Sequence, residues 1–335
     1  MTRKGHAVAE TVEADLLIVG AGPAGLYGAY YAGFRELKVA VVDSLPELGG
    51  QVTAMYPEKA ILDVAGFPTI KGRELVANLV EQAATAAPTY LLGRTAIGVE
   101  HRGDRVRVLL DDETVVDAGA VILTAGIGRF QPRGLPAGED WEGRGLAFFV
   151  PKLDVYAGQD VVVVGGGDSA FDWAHHLEPI AKSVTLVHRR TAFRAHASTV
   201  TAVQTSSVEI VTPATVTALL PGEDGALAEI EVTDADSGET HRRPAQAVIA
   251  ALGFLADLGP LKEWGLDLDK RHILVDPAMR TNLPRVYAAG DVTEYPGKVR
   301  LIAVGFGEVA TAVNNAAVDI DPDAHVFPGH SSEGS

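Results

Sequence analysis

The chain has 335 residues, a net charge of −16 at pH 7, 47% hydrophobic residues and no cysteine. That length suits about two domains of roughly 150 residues, and the lack of cysteine excludes a disulfide framework, a thiol nucleophile, cysteine-ligated zinc and an iron–sulfur cluster held by this chain. The acidic balance disfavours nucleic acid and anionic membrane as partners outside a local basic patch, and no apolar stretch reaches the roughly 18 residues of a membrane span or forms a secretory h-region, so a cytoplasmic protein is expected.

From Ala14 the sequence predicts a strand (DLLIVG), a tight turn, a helix (PAGLYGAYYAGF) and a second strand (KVAVVD), the opening of a doubly wound unit. In the turn, Gly20, Gly22 and Gly25 serve the sharp bend, backbone approach to a pyrophosphate and close helix–strand packing, and Ala24 joins them at the helix start. A pyrophosphate then sits on the helix N-terminus, where unpaired N–H groups and the macrodipole favour anions. Asp43, 23 residues beyond Gly20, ends the second strand. A carboxylate there accepts hydrogen bonds from a ribose 2′-hydroxyl, as in FAD or NAD. LGGQVTAMYPEK follows, where FAD would extend toward its ring: Gln51 offers a donor and an acceptor, and Tyr56 offers a flat face for stacking or simply packs. Between Leu91 and Val121, alternating runs broken at Gly103-Asp104 and Asp111-Asp112 predict an inserted hairpin.

The strand–turn–helix order recurs at VVVVGGGDSA, with Gly165, Gly166, Gly167, Asp168 and Ser169 at the turn. At the same distance downstream stands His188, followed by Arg189, Arg190 and, further on, Arg194. Arginines there neutralise a 2′-phosphate, which points to NADP(H) rather than NAD, although a charge run is also commonly a solvated loop. A second hairpin pattern, AEIEVTDADSGETHRRPAQAVIAALG, closes this unit near Gly253. Beyond it come a buried strand, the turn Ala289-Gly290-Asp291 and a helix start near Leu301, with no glycine-turn unit of their own. The first domain is therefore read as discontinuous, 1–129 plus 254–335, around an inserted domain of 130–253, with 321–335 as a polar tail. His175 and His176 are adjacent on a helix and point to different faces, so no metal site is expected.

The ordered motifs GAGPAG, ELGGQ, MYPEK, DVAGFP, GGGDSAFDWA, HRRTAFRAH, GPLKEWGLD, AAGD and GKVRLIAVGFGEVATAVNNA together resemble the ferredoxin–NADP reductases built on the thioredoxin reductase plan. The resemblance covers nearly the whole chain. It implies an α/β fold of two Rossmann-like dinucleotide-binding domains, each with a three-layer β/β/α or α/β sheet and an inserted antiparallel hairpin. It also implies a homodimer, FAD in the split domain, NADPH in the inserted one, a swivel between them, and ferredoxin or flavodoxin as partner. Carried over by residue, it assigns FAD contacts to Asp43, Gln51, Tyr56, Phe130 and Asp291, and a backbone contact to the adenine from Ala96. VFPGHSS matches the family's C-terminal extension toward the partner subunit's flavin at His330 and Ser332, with His330 standing in for an aromatic that relatives place further along. Where thioredoxin reductases place Cys-x-x-Cys, this chain has GLAFFVPKLDVYAG.

The expected chemistry is hydride transfer from NADPH to FAD, then one-electron steps to an iron–sulfur or flavin protein. No protein acid or base is assigned to it. The alternatives are an NADPH-dependent flavin oxidase or quinone reductase, and a non-catalytic redox sensor. An acidic partner would need a basic face, for which Lys71, Arg73, Lys298 and Arg300 are the candidates.

Overall fold

The computed structural model describes residues 10–327 and 329, and its contacts divide the chain into two compact units. One comprises the described residues of Met1–Ala54, Lys59–Arg129 and Ala256–Ser335; the other comprises Met55–Glu58 and Phe130–Leu255.

The first unit opens with β1 (Thr11–Val19), α1 (Pro23–Gly33), β2 (Val39–Asp43), α2 (Gly50–Met55), α3 (Gly72–Ala84) and β3 (Thr89–Leu92). β1 and β2 pair in parallel, and Leu16, Leu17 and Ile18 are fully buried. Parallel strands covered on both faces need such continuous apolar runs. Next come β4 (Ala96–Arg102), β5 (Arg105–Leu110) and β6 (Val115–Leu123), an antiparallel meander. The two turn signals in this stretch are both used, so the insertion has three strands where two were expected. The sheet order is β3-β2-β1-β6-β5-β4. β6 changes role along its length: Val115–Ala118 pairs antiparallel with β5, while the whole strand pairs parallel with β1.

The second unit holds β7 (Asp160–Val164), α4 (Asp168–Leu177), β8 (Ser183–Val187), α5 (Ala197–Gln204), β9 (Glu209–Val211), β10 (Ala214–Pro221), β11 (Leu227–Asp234), β12 (Thr240–Pro244) and β13 (Ala247–Ala250). A short strand, Leu146–Ala147, joins β13, β7, β8 and β9 in a five-stranded parallel sheet. Side chains alternate across it and build a three-layer unit. Val161, Val163, Val184 and Leu186 pack under Phe171, Trp173 and Leu177 of α4. Val162, Val164 and Val187 pack under the antiparallel meander β10-β11-β12, through Val216, Leu219, Ile230 and Val232. Here too the expected hairpin has a third strand.

The chain then completes the first sheet. β14 (Val286–Ala288) pairs parallel with the C-terminal half of β6, from Val121 to Leu123, and α6 (Ile302–Ile320) packs on α1. Their contact depends on Gly28, where a Cβ would stand 2.6 Å from Val309 Cγ2 and 3.3 Å from Ile18 Cδ1. Gly28→Val is expected to overpack this crossing at a cost of about 1–3 kcal/mol, seen as a lower urea midpoint; an unchanged midpoint would mean that the helices do not meet through this residue.

Candidate functional site

In the first unit, the chain leaves β1 at Gly20 with φ +117°, a conformation that side-chain-bearing residues rarely adopt. A Cβ on Gly25 would collide with the Gly20 carbonyl oxygen, so helix and turn can only approach this closely with glycine there. Gly22 differs: nothing lies within 4 Å of a Cβ built on it, and the backbone is open to a ligand on that side. Gly22 caps α1 in an extended conformation, with no side-chain cap and no acidic residue in the first turn. The helix N–H groups are thus left for an anion. Thr124 holds the turn from β6, its hydroxyl donating to the Gly20 carbonyl at 2.7 Å.

Asp43 closes the mouth of this turn. Its Oδ2 accepts the Ala21 N–H at 2.6 Å and its Oδ1 accepts the Leu45 N–H at 2.8 Å. Burial pushes the carboxyl above the usual carboxylate range, and the Leu45 and Ala21 N–H groups pull it back. Each oxygen retains a lone pair for a further donor. The Arg94 N–H donates to the Asp43 carbonyl at 3.0 Å, which lays the segment before β4 alongside, and Ala96 at its start is 4% exposed. On the other side the Gly49 N–H donates to the Ala21 carbonyl at 2.9 Å. A Cβ on Gly50 would come within 2.9 Å of Gly22 Cα, and one on Gly126 would overlap the Gln51 amide. Gln51 therefore lies between the first turn and the loop after β6. The late turn joins the same cluster, because a Cβ on Gly290 would stand 3.5 Å from Ala24. The neighbouring Asp291 carboxyl is pushed up by burial, against the pull of Lys298 and Arg300.

The structure thus gathers Gly20, Gly22, Ala24, Gly25, Asp43, Gln51 and Asp291 at one edge of the first sheet, with Ala96 one segment away. Tyr56 and Phe130 fall in the second unit. Tyr56 packs against that unit's helix-side core, and Phe130 packs edge-on against Phe149 and Phe254, with ring centroids at 6.3 and 6.2 Å. His330 and Ser332 lie outside the described residues.

In the second unit, Gly165 and Gly166 are buried at the end of β7, and Gly167 caps α4 with open space where a Cβ would be. A Cβ on Gly166 would run into the His188 ring, which packs beneath the turn. Burial holds that imidazole below its usual range, and Arg189 and Arg190 add to the effect, which favours the neutral ring. Positive charge is left to Arg189, Arg190 and Arg194, all exposed. Their loop folds back on the turn: the Arg194 N–H donates to the Gly166 carbonyl at 2.8 Å, and the His196 N–H donates to Asp168 Oδ1 at 2.8 Å. Ser169 is exposed at the helix start. Both turns fit the pyrophosphate of a dinucleotide, since each is closed to side chains within and open at its helix cap.

One expectation is corrected. Lys298 cannot belong to a basic docking face, because its side chain is 1% exposed and pairs at 2.5 Å with Glu308, itself 5% exposed. The fold draws the ammonium inward because Glu308, seven positions into α6, and the Gly290 carbonyl both need a donor there. Arg300 pairs with Glu294 at 2.6 Å, which reduces its charge at the surface. Thr124, Tyr295 and Glu308 were not among the expected site residues. For Glu308 a signal existed: it is a lone charge in the apolar helical run IAVGFGEVATAV, and such a charge calls for a buried partner.

Comparison with known proteins agrees with this layout. Residues 14–316 match the family described as pyridine nucleotide-disulphide oxidoreductase. A ferredoxin–NADP reductase of Nocardioides sp. is 69% identical over 97% of this chain and 98% of its own length, and one of Frankia casuarinae is 63% identical over 95% and 98%. Among solved structures, T. acidophilum thioredoxin reductase superposes with a TM-score of 0.77 at 26% identity, covering 92% of this chain and 98% of its own.

Charge-assisted hydrogen bonds contribute about 1.5–3 kcal/mol each, so Arg189→Ala with Arg190→Ala is expected to weaken NADP⁺ binding by about tenfold or more. NAD⁺ binding should barely change. Isothermal titration with both nucleotides checks this, and an unaltered preference would assign the arginines to a solvated loop.

Proposed function

The chain belongs to the pyridine nucleotide-disulphide oxidoreductase family and, within it, to the ferredoxin–NADP reductases, and from that premise we propose that it binds FAD and NADP(H) and passes electrons between NADP(H) and ferredoxin. The observation that carries this reading is the contrast at the two glycine turns. Behind the first stands a carboxylate with lone pairs to spare, and behind the second a histidine whose neutral form burial favours, followed by exposed arginines. The first suits a ribose bearing free hydroxyls; the second suits a ribose bearing a 2′-phosphate.

Bound FAD would supply the conversion between a two-electron hydride and single electrons. The work of the chain is to hold and orient. The α1 N-terminus and the open backbone at Gly22 would carry the pyrophosphate, Asp43 the ribose, and Gln51 and Asp291 the part of FAD nearer its ring. In the other unit, Gly165, Gly166 and Gly167 with the α4 N-terminus would carry the second pyrophosphate, while Arg189, Arg190 and Arg194 would neutralise the 2′-phosphate. Phe130, His330 and Ser332 remain FAD contacts by resemblance alone, and Tyr56 by resemblance and by its place after the ribose-reading strand. No side chain needs to act as acid or base, because hydride transfer depends on stacking and orientation. Thiol–disulfide exchange has no place in this chain, which lacks cysteine.

Finer readings accompany this one. Flavodoxin is a second acceptor of suitable redox chemistry, and a cytoplasmic location is carried from the sequence; no helix among the described residues is long and apolar enough to cross a membrane. A homodimer is supported by an aromatic cluster on the first unit, where Tyr27 packs against Tyr30 and Tyr31 of α1 and Phe306 of α6, and Phe34, the residue after α1, packs against Tyr30 and Tyr31. Phe34 is 57% exposed there.

Anaerobic stopped-flow tests the reading: NADPH should bleach the flavin band rapidly, and oxidised ferredoxin should restore it rapidly. Bleaching without recovery until oxygen or a quinone is added would make the protein an oxidase or quinone reductase instead.

A further inference from the structure

Gly290, in the turn just before Asp291, has both of its peptide groups held by a buried network. Its φ is +82°, a conformation that glycine adopts readily and other residues rarely. Its N–H donates to Glu308 Oε2 at 2.7 Å. Its carbonyl accepts from Lys298 Nζ at 3.0 Å, from the Thr293 hydroxyl at 2.8 Å and from the Thr293 N–H at 3.1 Å. Glu308 Oε1 in turn accepts from Lys298 at 2.5 Å and from the Tyr295 hydroxyl at 2.6 Å. The ion pair thus does more than neutralise itself: one partner grips the amide before Gly290 and the other the amide after it. Glu308 belongs to α6, and a Cβ on Gly305, one turn earlier in that helix, would stand 3.4 Å from Gly290 Cα and 3.6 Å from Ala24. The network therefore locks the Asp291 turn to the starts of both α6 and α1.

We propose that Lys298, Glu308 and Tyr295 are positioning residues for FAD, fixing the Gly290 peptide groups and through them the direction of the Asp291 carboxylate at the first glycine turn. This rests on the reading of Asp291 as an FAD contact. Besides pairing with each other and with Tyr295, Lys298 and Glu308 both bond the backbone of one residue, Gly290, beside the cofactor edge. A buried pair also contributes little net stability over apolar residues of similar size. Asp291 is faced by Lys298, Arg300 and His272, which favour its charged form, and by Glu308, which opposes it. Removing Lys298 and Glu308 together removes one influence of each sign, the Lys298 one being the larger, and Tyr295→Phe, which changes no charge, separates geometry from charge.

The test is the double variant Lys298→Met with Glu308→Gln in the full-length holoprotein. The glutamine carbonyl can still accept one donor, and no unpaired charge stays buried. FAD retention is read on serial dilution from the fluorescence of released flavin, together with the flavin midpoint potential and the melting temperature. The expected result is about tenfold weaker retention and a shifted potential, beyond what a control of equal or greater thermal destabilisation causes. Arg105→Met with Asp117→Asn, which removes a pair between β5 and β6 in the same unit, serves as that control. Retention and potential equal to wild type would overturn the proposal and make the pair a fold element only. Should the double variant fail to fold, Tyr295→Phe removes one hydroxyl and keeps both charges; about threefold weaker retention is expected, and unchanged retention overturns the proposal. A wild-type chain that holds no FAD at all would refute the assignment beneath it, and that outcome is distinct from the others.

Discussion

The Asp43 carboxylate is the constraint on which the first unit's ligand-facing edge depends. Its two oxygens tie the turn after β1 to the loop after β2, through the Ala21 and Leu45 N–H groups. Around that bridge the other parts take their places: Gly49 bonds to Ala21, Gly50 lies against Gly22, and Arg94 bonds to the Asp43 carbonyl. Burial makes the carboxylate costly to ionise, and the two N–H donors offset part of that cost. A ribose diol would add donors where the carboxylate still has lone pairs. The second unit repeats the sheet and the turn without this bridge. The His188 ring fills the space under Gly166, burial favouring its neutral form, and positive charge lies outward on the exposed arginine loop. One architecture used twice therefore differs at the C-terminal end of the second strand, at Asp43 in one unit and just after Val187 in the other.

Both units bury a parallel sheet on both faces but build around it differently. A parallel sheet with apolar side chains on both faces needs two covers. In the second unit helices supply one cover and an antiparallel meander the other. In the first, β4 and β5 extend the sheet itself, and the return of β14 fills the position beside β6 that β5 leaves free. That return brings Gly290, Asp291 and α6 to the glycine turn, so the discontinuity of the unit supplies part of its site.

What could be read from sequence was set by how local each determinant is. β1, α1, β2 and both glycine turns follow from spacing within about 25 residues, and Asp43 follows from its register at a strand end. The meanders were legible as antiparallel insertions, but two turn signals imply three strands, and the count fell one short. Lys298 was misplaced for a physical reason: a lysine in a glycine-rich loop reads as solvated unless its buried acceptor is known. Here the acceptors are Glu308 in the following helix and a carbonyl of Gly290. The charge of −16 therefore has fewer local exceptions than the sequence suggests, and Lys71, Arg73 and the Glu294-paired Arg300 are what is left of the expected basic face. Phe130 was placed by resemblance and Tyr56 by resemblance and by its place after the ribose-reading strand, and their packing within the second unit follows from contacts far apart in sequence.

The central claim is that the Asp43 turn holds FAD. The most direct measurement is to denature the purified protein and identify what it releases, by mass and by stoichiometry, for the wild-type chain and for Asp43→Ala. The account predicts about one FAD per chain from the wild type and little or none from the variant. FMN, an empty wild-type chain, or equal FAD from both proteins would contradict it.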